Sequence, residues 1–172
     1  MTRKKHFHLH IETAVDSWRR VHGLNARLQK AAVVTTTMLP EKFQKMAARS
    51  SATLLLTSDD AVRRLNHDFR GKNRPTNVLS FPAFTRQHLA GRARQKGVIY
   101  MGDIAISYRF TANEARKERK ILKNHVTHLL IHGLLHLFGY NHDTNAAAAK
   151  MERLEKEIMA ALKLPDPYEP ID

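Results

Sequence analysis

The chain has 172 residues, 42% of them hydrophobic and 26% charged, the size and composition of an ordinary globular domain. It contains no cysteine, which excludes a disulfide framework, a thiolate metal site and a cysteine nucleophile. Its net charge of +13 points to acidic partners, above all phosphate backbones, with plain solubility as the alternative. No run is long and apolar enough to span a bilayer, and residues 1–10 hold no apolar stretch suited to a secretory signal. A soluble, cytoplasmic protein without a membrane partner is expected.

Phe7, Leu9 and Ile11 alternate with polar residues, the period of a half-buried strand. A helical stretch follows, broken near Gly23 and again before Pro40. Residues 52–57 (ATLLLT) form a short apolar run. Ser58 or Asp59 can then cap a helix carrying Val62, Leu65 and Phe69. Pro75-Thr76-Asn77 is a turn into a second strand, 78–81, ended by Pro82. Residues 85–97 are basic, contain glycine and lack periodicity, so a mobile loop is expected there. A strand over 100–106 and a polar helix over 110–119 come next. Between 121 and 138 apolar residues cover most of the circumference, which predicts a buried central helix. A last amphipathic helix places Met151, Leu154, Ile158 and Leu162 on one face and stops before Pro165. Interspersed strands with more helices than strands predict a small sheet flanked by helices.

Within the buried helix, His128, His132 and His136 recur at steps of four and share a face. A lone histidine there would simply find a carbonyl or carboxylate partner. Here the pattern continues through Gly139, which permits a left-handed turn, to His142. With eleven histidines and seven glycines in the chain, H-x-x-x-H-x-x-G-x-x-H arises by chance about 0.002 times, so a metal site is the better reading. Three imidazoles suit zinc ahead of copper, nickel or iron. Three protein ligands leave a fourth position for water, as catalytic sites do. His128 lies too far along the helix to share the ion and is read as a supporting or packing residue. Zinc peptidases of related spacing carry a glutamate general base directly after the first histidine. Gly133 stands there, so peptide hydrolysis by that route is disfavoured. Zinc can still lower the pKa of water to about 7 without a separate base.

The segment His132-Gly133-Leu134-Leu135-His136-Leu137-Phe138-Gly139-Tyr140-Asn141-His142 resembles the signature of the YbeY family, bacterial and organellar endoribonucleases and rRNA maturation factors. So do Leu65-Asn66, Phe69-Arg70-Gly71-Lys72 and the run from Pro75 through Thr76, Asn77, Val78, Leu79, Ser80 and Phe81 to Pro82. Met101-Gly102-Asp103-Ile104 is similar to a further family strand, and Glu155, Glu157, Ile158 and Met159 to its closing helix. The resemblance runs from about residue 52 to residue 162. It implies one α+β domain over 1–172, zincin-like, with a small mixed sheet of about four strands flanked by helices. The metal site would lie on the buried central helix. It implies one zinc ion on His132, His136 and His142, and a functional arginine that falls on Arg70. The implied activity is single-strand-specific cleavage of RNA in rRNA maturation, at the 3′ end of 16S RNA, and in ribosome quality control. The implied partners are the small ribosomal subunit, ribosomal proteins and an assembly GTPase.

A guanidinium can clamp a phosphate bidentately and stabilise developing charge, which suits Arg70. The alternatives for it are a solvated charge or a structural partner for Asp103. His128, Lys72 and Arg74 are expected to support the metal ligands or the RNA. Asn141 and Asn73 stand where the family usually has aspartate, and Asp143 is a candidate to orient His142 instead. The 85–97 loop, often acidic or apolar in the family, carries Arg86, Arg92, Arg94 and Lys96. With Arg63, Arg64, Arg70, Lys72 and Arg74 it is a candidate phosphate-binding rim; the alternative is a solvated loop. Two rival functions remain: a ribosome-associated assembly factor with a mainly structural zinc, and a metallohydrolase of a non-RNA substrate.

Overall fold

The computed structural model of the protein describes residues 6–92, 94 and 96–169. The basic start at 1–5, two positions of the 85–97 loop (93 and 95) and residues 170–172 lie outside the described residues. In chain order the elements are β1 (His8–Thr13), α1 (Asp16–Arg19), α2 (Leu24–Thr37) and α3 (Glu41–Ala47). Then come β2 (Ser50–Thr57), α4 (Asp59–Arg70), β3 (Val78–Pro82) and α5 (Arg86–Arg92). β4 (Ile99–Ser107), α6 (Tyr108–Lys117), α7 (Leu122–Leu137) and α8 (Asn145–Ala161) complete the fold. This is an α+β architecture with one four-stranded sheet flanked by helices.

Local signals set the element ends. Gly23, at φ 69°, opens α2, and Pro40 is the N-cap of α3. The Ser58 hydroxyl, rather than Asp59, caps α4 by accepting from the Ala61 N–H at 3.3 Å. Gly71, in the left-handed region, closes the same helix. Thr144 caps α8 in the same way as Ser58, through Ala147.

The strand order is β1-β2-β4-β3. β1, β2 and β4 run parallel, and β3 joins β4 antiparallel as an edge strand. Alternation splits the sheet into two unequal faces. Leu54, Leu56, Ile104 and Ile106 enter the main core with α2, α7 and α8. Ala105 and Leu79 turn the other way and pack with Val62 of α4 in a smaller cluster. α7 is buried nearly all round, as its apolar circumference requires.

One expectation is corrected. Residues 86–92 are not an irregular loop but the helix α5, anchored by Leu89, which is 1% exposed. A single buried leucine leaves no period for sequence reasoning to detect. Arg92 adds a second tether, its guanidinium 4.6 Å from the Phe84 ring centroid.

Candidate metal centre

α7 carries His132 and His136 one turn apart. The chain then reverses through a Schellman turn: Tyr140 N–H donates to the Leu135 carbonyl and Gly139 N–H to that of His136, each at 3.0 Å. Gly139 sits at φ 85°, and a Cβ there would meet Leu89 Cδ1 at 2.9 Å. This turn returns His142 to the helix face, where its ring stacks on His132 at 5.7 Å. One ligand atom from each of His132, His136 and His142 lies within 4.8 Å of the others. These three can hold a metal ion, and His128 is not part of the group.

The hydrogen bonds say which nitrogens face the site. His136 Nδ1 lies 2.9 Å from the Tyr140 carbonyl oxygen, which can only accept, so that Nδ1 carries the proton. His132 Nδ1 lies 2.6 Å from a Glu155 carboxylate oxygen. Burial alone would raise the Glu155 carboxyl, but its contacts with His128 and His132 outweigh this and hold it at about 2. It is therefore ionised at neutral pH and accepts from His132. Burial, reinforced by His132, lowers His136 to about 4, so its ring is neutral. The Nε2 atoms of the two rings are the ones left over, and they lie 3.0 Å apart. Two imidazole nitrogens brought this close, with His142 beside them, suit a shared cation. The donor set fits a zinc ion.

Glu155 is fully buried in α8. It also accepts a hydrogen bond from the Tyr168 hydroxyl. Burial and the Glu155 charge raise the Tyr168 pKa well above the usual phenol range, so the hydroxyl stays a donor. His128 approaches the same carboxylate at 3.6 Å, and neither of its nitrogens has a hydrogen-bond partner among the described residues. His142 is exposed and makes no hydrogen bond there either, so neither Asn141 nor Asp143 orients it in this structure. Gly133, where a general-base glutamate would stand, faces Ile104 of β4. A Cβ at Gly133 would lie 3.0 Å from two Ile104 side-chain carbons. Close packing of helix on sheet leaves no room for a base at this position.

Arg70 ends α4 on the far side of the sheet and reaches the open edge of β3. It donates to the Ser80 carbonyl at 3.1 Å and lies 6.0 Å from the Phe81 ring centroid. Ser80 pairs with Ile104, the residue that packs on Gly133. The edge strand that accepts from the arginine therefore lies over the histidine helix. Asp103 is not the partner of Arg70; it accepts from the Tyr100 hydroxyl. The expected rim is dispersed in part. Arg63 is tied to Asn73 at 2.8 Å and Asp60 at 3.8 Å. Lys72 and Arg74 are exposed on a loop held by Asn66, whose amide donates to the Arg74 carbonyl at 2.8 Å. Arg86 instead faces Lys42 and Lys150 across a separate cleft.

A family model described as Endoribonuclease YbeY matches residues 18–163. The chain belongs to the endoribonuclease YbeY family. A relative of that name from Nitrobacter winogradskyi is 39% identical over 93% of this chain and 81% of its own length. Another, from a Chelativorans species, is 37% identical over 94% and 93%. A solution structure from Thermotoga maritima covers 94% of this chain and 99% of its own, with TM-score 0.53 and 22% identity, which speaks for the fold. No helix among the described residues is long and apolar enough to cross a membrane.

Sequence reasoning noticed Glu155 only as part of the family's closing helix and passed over Tyr168. The signal was present: a carboxylate on the same face as Met151 and Ile158 has no water to satisfy it and needs a buried partner. The family's Asn77 proves to be a structural pin. Its side chain accepts from the Val78 N–H at 2.7 Å and donates to Glu114 at 2.8 Å. Glu114 is in turn 2.7 Å from His125 of α7, so the turn before β3 is tied to the histidine helix.

Proposed function

We propose that this chain is a zinc-dependent endoribonuclease that cuts single-stranded RNA and acts in rRNA maturation. One zinc ion would be held by His132, His136 and His142. The observation that carries the reading is the convergence of the three histidines, with the His132 and His136 Nε2 atoms 3.0 Å apart and each of these rings held at its Nδ1. When bound, zinc supplies Lewis acidity toward a phosphoryl oxygen and makes water easier to deprotonate. Glu155 fixes the His132 tautomer and its ring orientation, and the Tyr140 carbonyl does the same for His136. Arg70 is assigned to the RNA phosphate: it spends a donor on Ser80 and keeps others free for charge-assisted hydrogen bonds. Lys72 and Arg74 are assigned to the flanking backbone, and His128 to support of Glu155. Family membership favours RNA as the substrate, and the +13 charge agrees with it.

The same reading takes residues 1–172 as one domain working in the cytoplasm. It places its substrate at the 3′ end of 16S RNA and in ribosome quality control. The small ribosomal subunit, ribosomal proteins and an assembly GTPase would be its partners. A second reading, an assembly factor with a mainly structural zinc, is favoured by the absence of any base at Gly133.

Identically purified wild type, His136→Ala and Arg70→Ala, incubated with unstructured RNA, separate the two. Cleavage that falls in both variants, with Arg70→Ala still holding zinc, supports the nuclease. Equal cleavage in all three, or none in any, supports the assembly factor, which would co-sediment with small subunits whether or not Arg70 is intact. A 2′,3′-cyclic phosphate product would mean attack by the RNA's own 2′-hydroxyl; linear phosphate ends formed directly would mean attack by water.

A further inference from the structure

Beside the histidine turn lies a cleft of about 440 Å³, within the range of about 300–1,000 Å³ common to small-ligand sites. Its floor is the stretch from Phe138 to Asn141, the backbone that carries His142 and supplies the Tyr140 carbonyl to His136. Lys42, Arg86 and Lys150 stand around it, from α3, α5 and α8. No acidic side chain lines it, and none of the three cations makes an ion pair among the described residues.

Three unpaired cations converging from separate elements repel one another and gain from a shared anion. Asn141 apart, the rest of the wall is aromatic and apolar, with Phe43 and Tyr140 both partly exposed. Lys150 lies 5.9 Å from the Tyr140 ring centroid and Lys42 lies 5.0 Å from that of Phe43. An anion alone would have no use for such walls, and an apolar ligand none for the charges. A nucleotide, with a phosphate and a planar base, uses both. The Arg86 stem lies over Gly139, its Cγ 3.3 Å from where a Cβ would be, so the turn that forms the metal site also seats this arginine.

We propose that this cleft is a nucleotide subsite of the RNA track, in which Arg86, Lys42 and Lys150 hold a phosphate of the strand. It rests on the reading of RNA as the substrate and adds a binding element apart from Arg70, which does not line the cleft. The charge that the sequence places on the 86–96 segment is thus used in part at α3 and α8 rather than at the Arg70 edge.

The test is equilibrium binding of a fluorescent single-stranded decaribonucleotide with 2′-O-methyl sugars to the zinc-loaded protein over a range of salt. The double variant R86A/K150A is compared with R20A/K30A, which removes the same charge at exposed positions outside the cleft. R86A/K150A should bind about tenfold more weakly, with a salt slope lower by roughly 0.7 for each phosphate that is no longer neutralised. Its zinc content should be unchanged. Equal weakening in both double variants, no weakening in either, or no binding by wild type overturns the subsite. Cleavage of unmodified RNA by the wild type is scored in parallel. Its absence would sink the nuclease reading, while the binding comparison still decides the cleft.

Discussion

The histidine cluster and the Arg70 edge are both built from polar groups, but they differ in how many of those groups are already engaged. At the cluster, both Nδ1 atoms of the α7 ligands are committed to fixed acceptors, and Glu155 takes donors from His132 and Tyr168. Only the Nε2 atoms remain, and they point at one place. At the edge, Arg70 is exposed, its side chain makes one hydrogen bond among the described residues, to a backbone carbonyl, and it lies loosely over Phe81. A site for a resident ion has its geometry fixed before the ion arrives. A site for a long, exchanging polyanion keeps its donors open and depends on the substrate to complete it.

That contrast is broken or sharpened first by removing Arg70. Arg70→Ala should lower RNA cleavage by about 10²–10³-fold, while metal analysis still finds one zinc per chain. Zinc loss from this variant would mean that the two regions are not separable. The next largest effect is expected at Glu155. Glu155→Gln keeps the shape but removes the charge that receives the His132 proton, so zinc affinity should fall about 10–100-fold. Competition with a chromogenic chelator measures it, and an unchanged affinity would show that burial alone orients His132. Smaller again is Gly139→Ala. A non-glycine residue held in the left-handed region costs about 1–3 kcal/mol, and the new methyl group would press on Leu89 at 2.9 Å. Denaturant unfolding of the zinc-free protein should show that loss; a variant as stable as wild type would mean that α5 yields easily.

The same contrast explains how far the sequence could be read. The three histidines were legible because a helix and a glycine turn impose fixed spacing, and the turn formed as Gly139 requires. The four strands were legible from alternation and apolar runs at 7–11, 52–57, 78–81 and 100–106, each found within two residues of its observed ends. α5 was hidden because a helix of seven residues with a single buried side chain, Leu89, has no repeating face. Glu155 and Tyr168 were hidden for a different reason. Their partners lie 23 and 13 residues away in sequence; the packing of α8 on α7 brings Glu155 to His132, and the chain after α8 returns Tyr168 to Glu155. Likewise, the redistribution of Arg86 toward Lys42 and Lys150 depends on three elements meeting, which charge counting along one segment cannot show.

The smallest expected effect concerns protons at the histidine cluster. In the metal-free protein, His136 is lowered by burial to about 4 from its ordinary value of 6.5. Between these values the unfolded chain binds a proton that the folded chain does not, so stability falls as the pH is lowered from 6.5 toward 4. Glu155 acts in a lower window. Its folded pKa of about 2 lies below the ordinary value of 4.5, so its contribution is complete above 4.5 and is lost as the pH falls toward 2. The thermal midpoint of the zinc-free protein should therefore decline through both windows. His136→Asn should shrink the upper decline and keep the lower one; what is left belongs to His125, which burial also lowers. If the upper decline is undiminished by that substitution, the desolvated His136 ring does not contribute to it, and a neutral imidazole held ready for a cation is no longer supported.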